Sequence, residues 1–134
     1  MLNPEHRLIP FETSPLPPGP WLVFAPHADD ETYGMAGSLI KASEEGIQVH
    51  LVVMTDGALG GRGEDLVDVR DREVQEVAGI LGIESVDSWQ EPDRGLALSD
   101  ELVNRIAHKI GEVGAASVFF PGPLEPHPDH RNTA

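Results

Sequence analysis

A chain of 134 residues is long enough to bury one hydrophobic core and too short for two domains of ordinary size. Its 23 Asp and Glu against 9 Lys and Arg give a formal net charge of -14, which repels phosphate backbones and anionic lipid surfaces and so disfavours nucleic-acid and membrane-surface roles. The absence of cysteine excludes disulfides, thiolate metal sites and cysteine nucleophiles, so a metal has to be held by His, Asp and Glu.

Residues 1–20 carry Pro4, Pro10, Pro15, Pro17, Pro18 and Pro20, which fix φ and remove backbone donors, and an extended arm is expected there. A single domain is expected over residues 21–134. An apolar run at Trp21 to Ala25 reads as the first strand, and Met35, Leu39 and Ile40 mark a helix after it. A second strand is expected over Ile47 to Met54, followed by a helix whose apolar positions are Leu66, Val69, Val74, Val77, Ala78 and Leu81. Ser85 to Trp89 alternates as an edge strand would. Leu102, Val103, Ile106, Ile110 and Val113 give a third helix, with Ser99 as its N-cap, and Ala116 to Phe120 a fourth strand. Gly46, Gly82 and Gly114 each stand just past a helix, where a left-handed residue closes the last turn.

Strands alternating with helices imply an α/β, Rossmann-like three-layer fold with a mostly parallel sheet. The first, second and fourth strands are nearly continuous apolar runs, as burial on both faces demands, which places the alternating third strand at an edge and predicts the order 3-2-1-4. Ligands bind such sheets outside the carboxyl ends of the strands, where the winding reverses. Here that crevice lies between the loops after strands one and four.

Those loops read His27-Ala28-Asp29-Asp30-Glu31 and His127-Pro128-Asp129-His130. Residues three apart share one side of a turn, so His27 with Asp30, or His127 with His130, can converge on one ion of the kind zinc represents. Either loop alone reads equally well as a capping turn, with Asp29, Asp30 and Glu31 complementing a helix N-terminus. Their coincidence at the switch point favours a metal site. His6, His50 and His108 fall outside the two loops and receive no role. Gly57, Gly60, Gly61 and Gly63 match neither dinucleotide nor P-loop spacing, so a mobile flap is expected there and no nucleotide.

Together the two histidine-aspartate loops resemble the signatures of the LmbE-like (PIG-L-type) N-acetylglucosaminyl deacetylases, over about Trp21 to the last residue. Arg70 and Glu73 ahead of Leu81-Gly82 resemble that family's substrate-binding arginine helix, and Pro92-Asp93-Arg94-Gly95 a loop whose aspartate holds sugar hydroxyls. The resemblance implies one zinc ion per chain on His27, Asp30 and His130, Asp29 as general base, His127 steadying the oxyanion, and Arg70 and Asp93 on the substrate. Asp129 is read as partner to an imidazole. The implied reaction is hydrolysis of a linear amide, removing acetate from an N-acetylated amino sugar.

This sequence departs from the family in having Ala28 where proline is usual. The family also continues for on the order of a hundred residues past the second motif, whereas four residues follow His130 here. The sequence therefore reads as a truncated domain, a natural fragment, or a subunit completed by a homo-oligomer or another partner at the edge of strand four. Two other functions stay open: metal-assisted cleavage of a phosphoester, to which Arg62, Arg70 and Arg94 as the only basic residues near the crevice give weak support, or of a larger amide, and a non-catalytic zinc- or sugar-binding module. No run approaches the roughly 18 apolar residues of a membrane span and no basic segment leads an apolar one, so a cytoplasmic location is expected.

Overall fold

The computed structural model describes residues 13–61 and 65–134. Of the expected arm, residues 1–12 lie outside the described residues, as do Arg62 and Gly63 in the glycine-rich loop.

Four parallel strands form one sheet in the order β3-β2-β1-β4, with β1 at Trp21–Ala25, β2 at Val49–Thr55, β3 at Ser85–Glu91 and β4 at Ser117–Phe119. Every residue of β1 is buried, and alternate side chains go to opposite faces. Trp21, Val23 and Ala25 join Leu51 and Val53 beneath helices α1 (Asp30–Glu44) and α2 (Leu66–Leu81), through Leu39, Ala42, Val74 and Leu81. Leu22 and Phe24 join Val52 and Met54 on the other face, beneath Leu102 of helix α3 (Asp100–Val113). Each such side chain contributes roughly 1.5–3 kcal/mol on burial, so a strand buried on both faces is the natural axis of the sheet.

Two crossovers pass over one face and the third returns over the other. The winding therefore reverses between β1 and β4, as the apolar patterns predict. Strand β2 begins two residues later than its apolar run, because the amide of Ile47 donates to Ala42 O at 2.9 Å and is spent closing α1. Strand β3 runs on to Glu91 through a register irregularity between Val53 and Thr55 of its partner, with Gln90 at φ 55°. Ser99 caps α3 as expected, its Oγ accepting from the Leu102 amide at 3.1 Å. Gly82 ends α2 at φ 72°, and a Cβ there would lie 2.0 Å from Ser43 Oγ, so both the turn and the close approach of α1 require glycine.

Candidate metal centre

The loops after β1 and β4 meet at the carboxyl end of the sheet. Thr55 anchors the first loop, giving both its amide (3.0 Å) and its hydroxyl (2.8 Å) to Pro26 O. The second loop enters a short helix, α4 (Pro128–Thr133), which starts before His130 and so turns Asp129 inward and His130 toward the first loop. The rings of His27, His127 and His130 lie with centroids 4.6 to 5.5 Å apart.

One oxygen is central. Asp30 Oδ2 lies 3.3 Å from His27 Nδ1 and 3.1 Å from His130 Nε2, and it accepts the His27 amide at 2.9 Å. Donors bound to one tetrahedral zinc at about 2.0–2.1 Å stand about 3.3 Å from each other, so both ring-to-carboxylate distances match edges of such a polyhedron. Ring nitrogens of His27, His127 and His130 also fall within 4.8 Å of one another, as do donors of His27, Asp93, His127 and Asp129. Neither of those two sets includes Asp30, whose Oδ2 has pairwise spacings of shared coordination to His27 Nδ1 and His130 Nε2, while Asp93 and Asp129 face the opposite nitrogen of His27.

That opposite nitrogen, Nε2, is 3.2 Å from Asp129 Oδ2 and 3.5 Å from Asp93 Oδ1. Asp129 is 0 % exposed and also accepts the amides of Arg94 (2.7 Å) and Leu96 (3.2 Å), tying the loop after β3 to α4. A proton on His27 Nε2 directed at Asp129 leaves the Nδ1 lone pair facing Asp30, as a metal ligand needs. The Nδ1 of His127 accepts the Asp129 amide at 3.3 Å as the N-cap of α4. With Nδ1 accepting, the ring proton is on Nε2, free to donate.

The hydrogen bond the His27 ring donates to Asp30 holds the His27 pKa above its ordinary value, against the lowering effect of burial. Burial works to raise Asp30, but the bonds from the His27 ring and amide outweigh it and its pKa is lowered. Burial pushes the Asp29 carboxyl up and the neighbouring Asp30 adds to this, while Arg70 acts in the other direction.

Asp29, with φ 154°, presents its carboxylate 3.9 Å from Arg70 Nη1. Both border a cavity of about 200 Å³ with His27, His127, Asp93 and Arg94. Asp93 is more engaged than its motif implies: its Oδ2 accepts the Leu59 amide at 3.0 Å, and its own amide donates to Asp56 Oδ1 at 3.1 Å. Asp56 also takes the Ala58 amide at 3.0 Å, so the start of the glycine-rich loop is pinned from two sides. A larger hollow of about 370 Å³, lined mainly by apolar groups such as Tyr33, Met35, Phe119 and Phe120, touches the centre only through Asp30, Glu31 and His130. The smaller cavity collects the polar groups.

The structure thus gathers His27, Asp29, Asp30, His127, His130 and Asp129, and brings Arg70 and Asp93 to the cavity wall. Glu73 is exposed on α2, His108 is exposed on α3, and His50 faces Ser85 Oγ at 2.7 Å, all away from the centre. Sequence reasoning missed Thr55 and Asp56 as the anchors of the site loops. Their position at the carboxyl end of β2 was the available signal.

Known proteins resemble the stretch of chain that carries these residues. The family model described as GlcNAc-PI de-N-acetylase (PIG-L) matches residues 22–134. A diacetylchitobiose deacetylase of Thermococcus kodakarensis is 31% identical over 119 residues, covering 83% of this chain and 45% of its own length. A probable N-acetyl-alpha-D-glucosaminyl L-malate deacetylase 2 of Bacillus anthracis is 29% identical, covering 84% of this chain and 54% of its own length. The structure of N,N'-diacetylchitobiose deacetylase from Pyrococcus horikoshii superimposes with a TM-score of 0.80 at 34% identity, over 84% of this chain and 45% of that one. The chain therefore spans about half the length of the curated relatives it matches.

Proposed function

This chain belongs to the GlcNAc-PI de-N-acetylase (PIG-L) family, and from that premise we propose that it carries the catalytic site of a zinc-dependent hydrolase that removes acetate from an N-acetylated amino sugar. The observation that carries the reading is the convergence of one Asp30 oxygen on ring nitrogens of both His27 and His130, with the Asp29 carboxylate beside them over a polar cavity. Relatives described as deacetylases of N-acetylated sugars support the substrate class.

In this reading His27 Nδ1, Asp30 Oδ2 and His130 Nε2 hold the metal, a hard and borderline donor set without thiolate that suits zinc. When bound, zinc supplies Lewis acidity, bringing water deprotonation toward neutral pH and polarising the acetamide carbonyl. Asp29 takes the proton of the attacking water as the new C–O bond forms. His127 donates its Nε2 proton as a hydrogen bond to the oxyanion of the tetrahedral intermediate. Asp29 then returns its proton to the nitrogen as the C–N bond breaks, giving acetate and a free amine. Arg70 and Asp93 meet the sugar from the cavity wall, Asp93 with lone pairs that its bond to Leu59 leaves over.

The test measures acetate release from N-acetylglucosamine and N,N'-diacetylchitobiose, beside phosphate release from a sugar phosphate. Because Arg70 and Arg94 border the cavity, the phosphoester arm is a real competitor. Acetate release lost on chelation and restored by zinc is expected. Phosphate release without acetate would reassign the reaction, and zinc binding without turnover would make the site a binding module.

A further inference from the structure

Glu31 is 3 % exposed, and among the described residues no cation pairs with it. Burying a carboxylate without a cation is costly, and the N-terminus of α1 offsets only part of that. Its oxygens are nonetheless both in use. Oε2 accepts the Asp29 amide at 3.2 Å and Oε1 accepts the Thr32 hydroxyl at 2.8 Å.

The residue whose amide it holds is unusual. Asp29 occupies the N-cap of α1, where an aspartate ordinarily folds its carboxylate onto the amides of the first turn, yet it makes no such bond. Its φ of 154° and ψ of -19° are rarely adopted by a residue with a side chain, and such a conformation persists only where the surroundings impose it. The carbonyl of Asp29 is fixed by the amides of Thr32 (3.0 Å) and Tyr33 (2.9 Å), and Glu31 fixes its amide from the other side. The carboxylate is left over the cavity facing Arg70.

We propose that Glu31 is a positioning residue for Asp29: by holding the Asp29 amide it keeps the strained turn that points the Asp29 carboxylate at the reacting atoms instead of back onto the helix. This rests on the reading of Asp29 as the general base. Glu31 itself exchanges no proton with substrate.

The test compares Glu31→Gln, which keeps an acceptor oxygen, with Glu31→Met, which keeps length and apolar burial but removes it. In Glu31→Met the Asp29 amide resonance should shift and its hydrogen exchange accelerate about 10-fold or more, the scale of one lost local constraint. Zinc stoichiometry and KM should stay unchanged while kcat falls roughly 10- to 100-fold, as expected of a misplaced catalytic group. The melting temperature should hold or rise, because an apolar side chain replaces a buried charge. Glu31→Gln should stay near wild type in every readout. Wild-type kcat and Asp29 amide protection in Glu31→Met would overturn the proposal, as would a lowered melting temperature, which would make Glu31 a structural residue. Asp29→Asn measured in parallel separates the two readings: a fully active Asp29→Asn sinks the base assignment, whereas an inactive Asp29→Asn with an unaffected Glu31→Met sinks the positioning role alone.

Discussion

Two clusters of charged side chains occupy this small molecule, and they are built on opposite principles. Along the outer edge of β3 and α3 the acids have permanent cations: Arg105 pairs with Glu91 at 2.9 Å and lies 4.0 Å over the Trp89 ring, and Lys109 bridges Asp87 and Glu112. At the carboxyl end of β1 and β4, Asp29, Asp30, Glu31, Asp93 and Asp129 crowd together; among the described residues their one arginine contact is Arg70 to Asp29 at 3.9 Å, and their other partners are imidazoles, backbone amides and the Thr32 hydroxyl. The first cluster is exposed and self-sufficient, and it protects an edge strand from pairing with other chains. The second is buried to half-buried and, among the described residues, short of positive charge. A folded protein tolerates that imbalance where a bound cation completes it.

The sharpest way to break this contrast is to remove the donors that would receive the cation. Replacing His27, Asp30 or His130 by Ala should abolish stoichiometric zinc binding and activity together, while the far-ultraviolet spectrum stays that of an α/β fold, because the ligands sit on loops outside the core. Wild-type zinc content in any of the three would remove that residue from the ligand set. Asp29→Asn comes next, with zinc retained and kcat lowered roughly 100-fold or more by loss of the general base. If zinc is lost instead, Asp29 and Asp30 have exchanged roles.

Metal removal should give a smaller, pH-dependent effect. In the metal-free protein the His27 pKa is raised from 6.5 by its bond with Asp30, so the stability it contributes is full below 6.5 and lost as pH rises through the raised value. The Asp30 pKa is lowered from 3.8, so its contribution is present above 3.8 and lost as pH falls through the lowered value. Zinc must displace the His27 proton, so its stabilisation grows with pH. Calorimetry with and without chelator should show the zinc-dependent gain in melting temperature widening from about pH 6 to about pH 8. A constant gap would contradict proton-linked binding at His27. The smallest effect belongs to the other cluster: Arg105→Ala should cost about 1 kcal/mol or less in denaturant unfolding and leave zinc affinity unchanged.

The same contrast explains what was legible in the sequence. Strand order followed from where apolar runs were continuous and where Ser85 to Trp89 alternated, although β4, apolar in sequence, is an edge strand that stays half-buried among the described residues. A candidate metal site was legible because His27 with Asp30 and His127 with His130 stand three apart in two loops at the point where the winding reverses, while the proposed ligand set came from the family resemblance. The supporting contacts were not. Glu31 reads as an ordinary acid at a helix N-terminus, and only tertiary packing makes it buried and turns it toward the Asp29 amide. Asp129 reads as a partner for some imidazole, but its choice of His27 Nε2 and its grip on the Arg94 and Leu96 amides depend on how the loop after β3 folds over α4. Asp93 likewise carries a bond to Leu59 that no local pattern announces.

The most direct test of the central claim is a zinc titration of chelator-treated protein, wild type against Asp30→Ala, followed by acetate release from N,N'-diacetylchitobiose at each point. One zinc per chain with acetate release rising in step, and neither in Asp30→Ala, is the expected result. Acetate release that ignores zinc occupancy, or tight one-to-one zinc binding that survives Asp30→Ala, would contradict a catalytic metal held between the loops after β1 and β4.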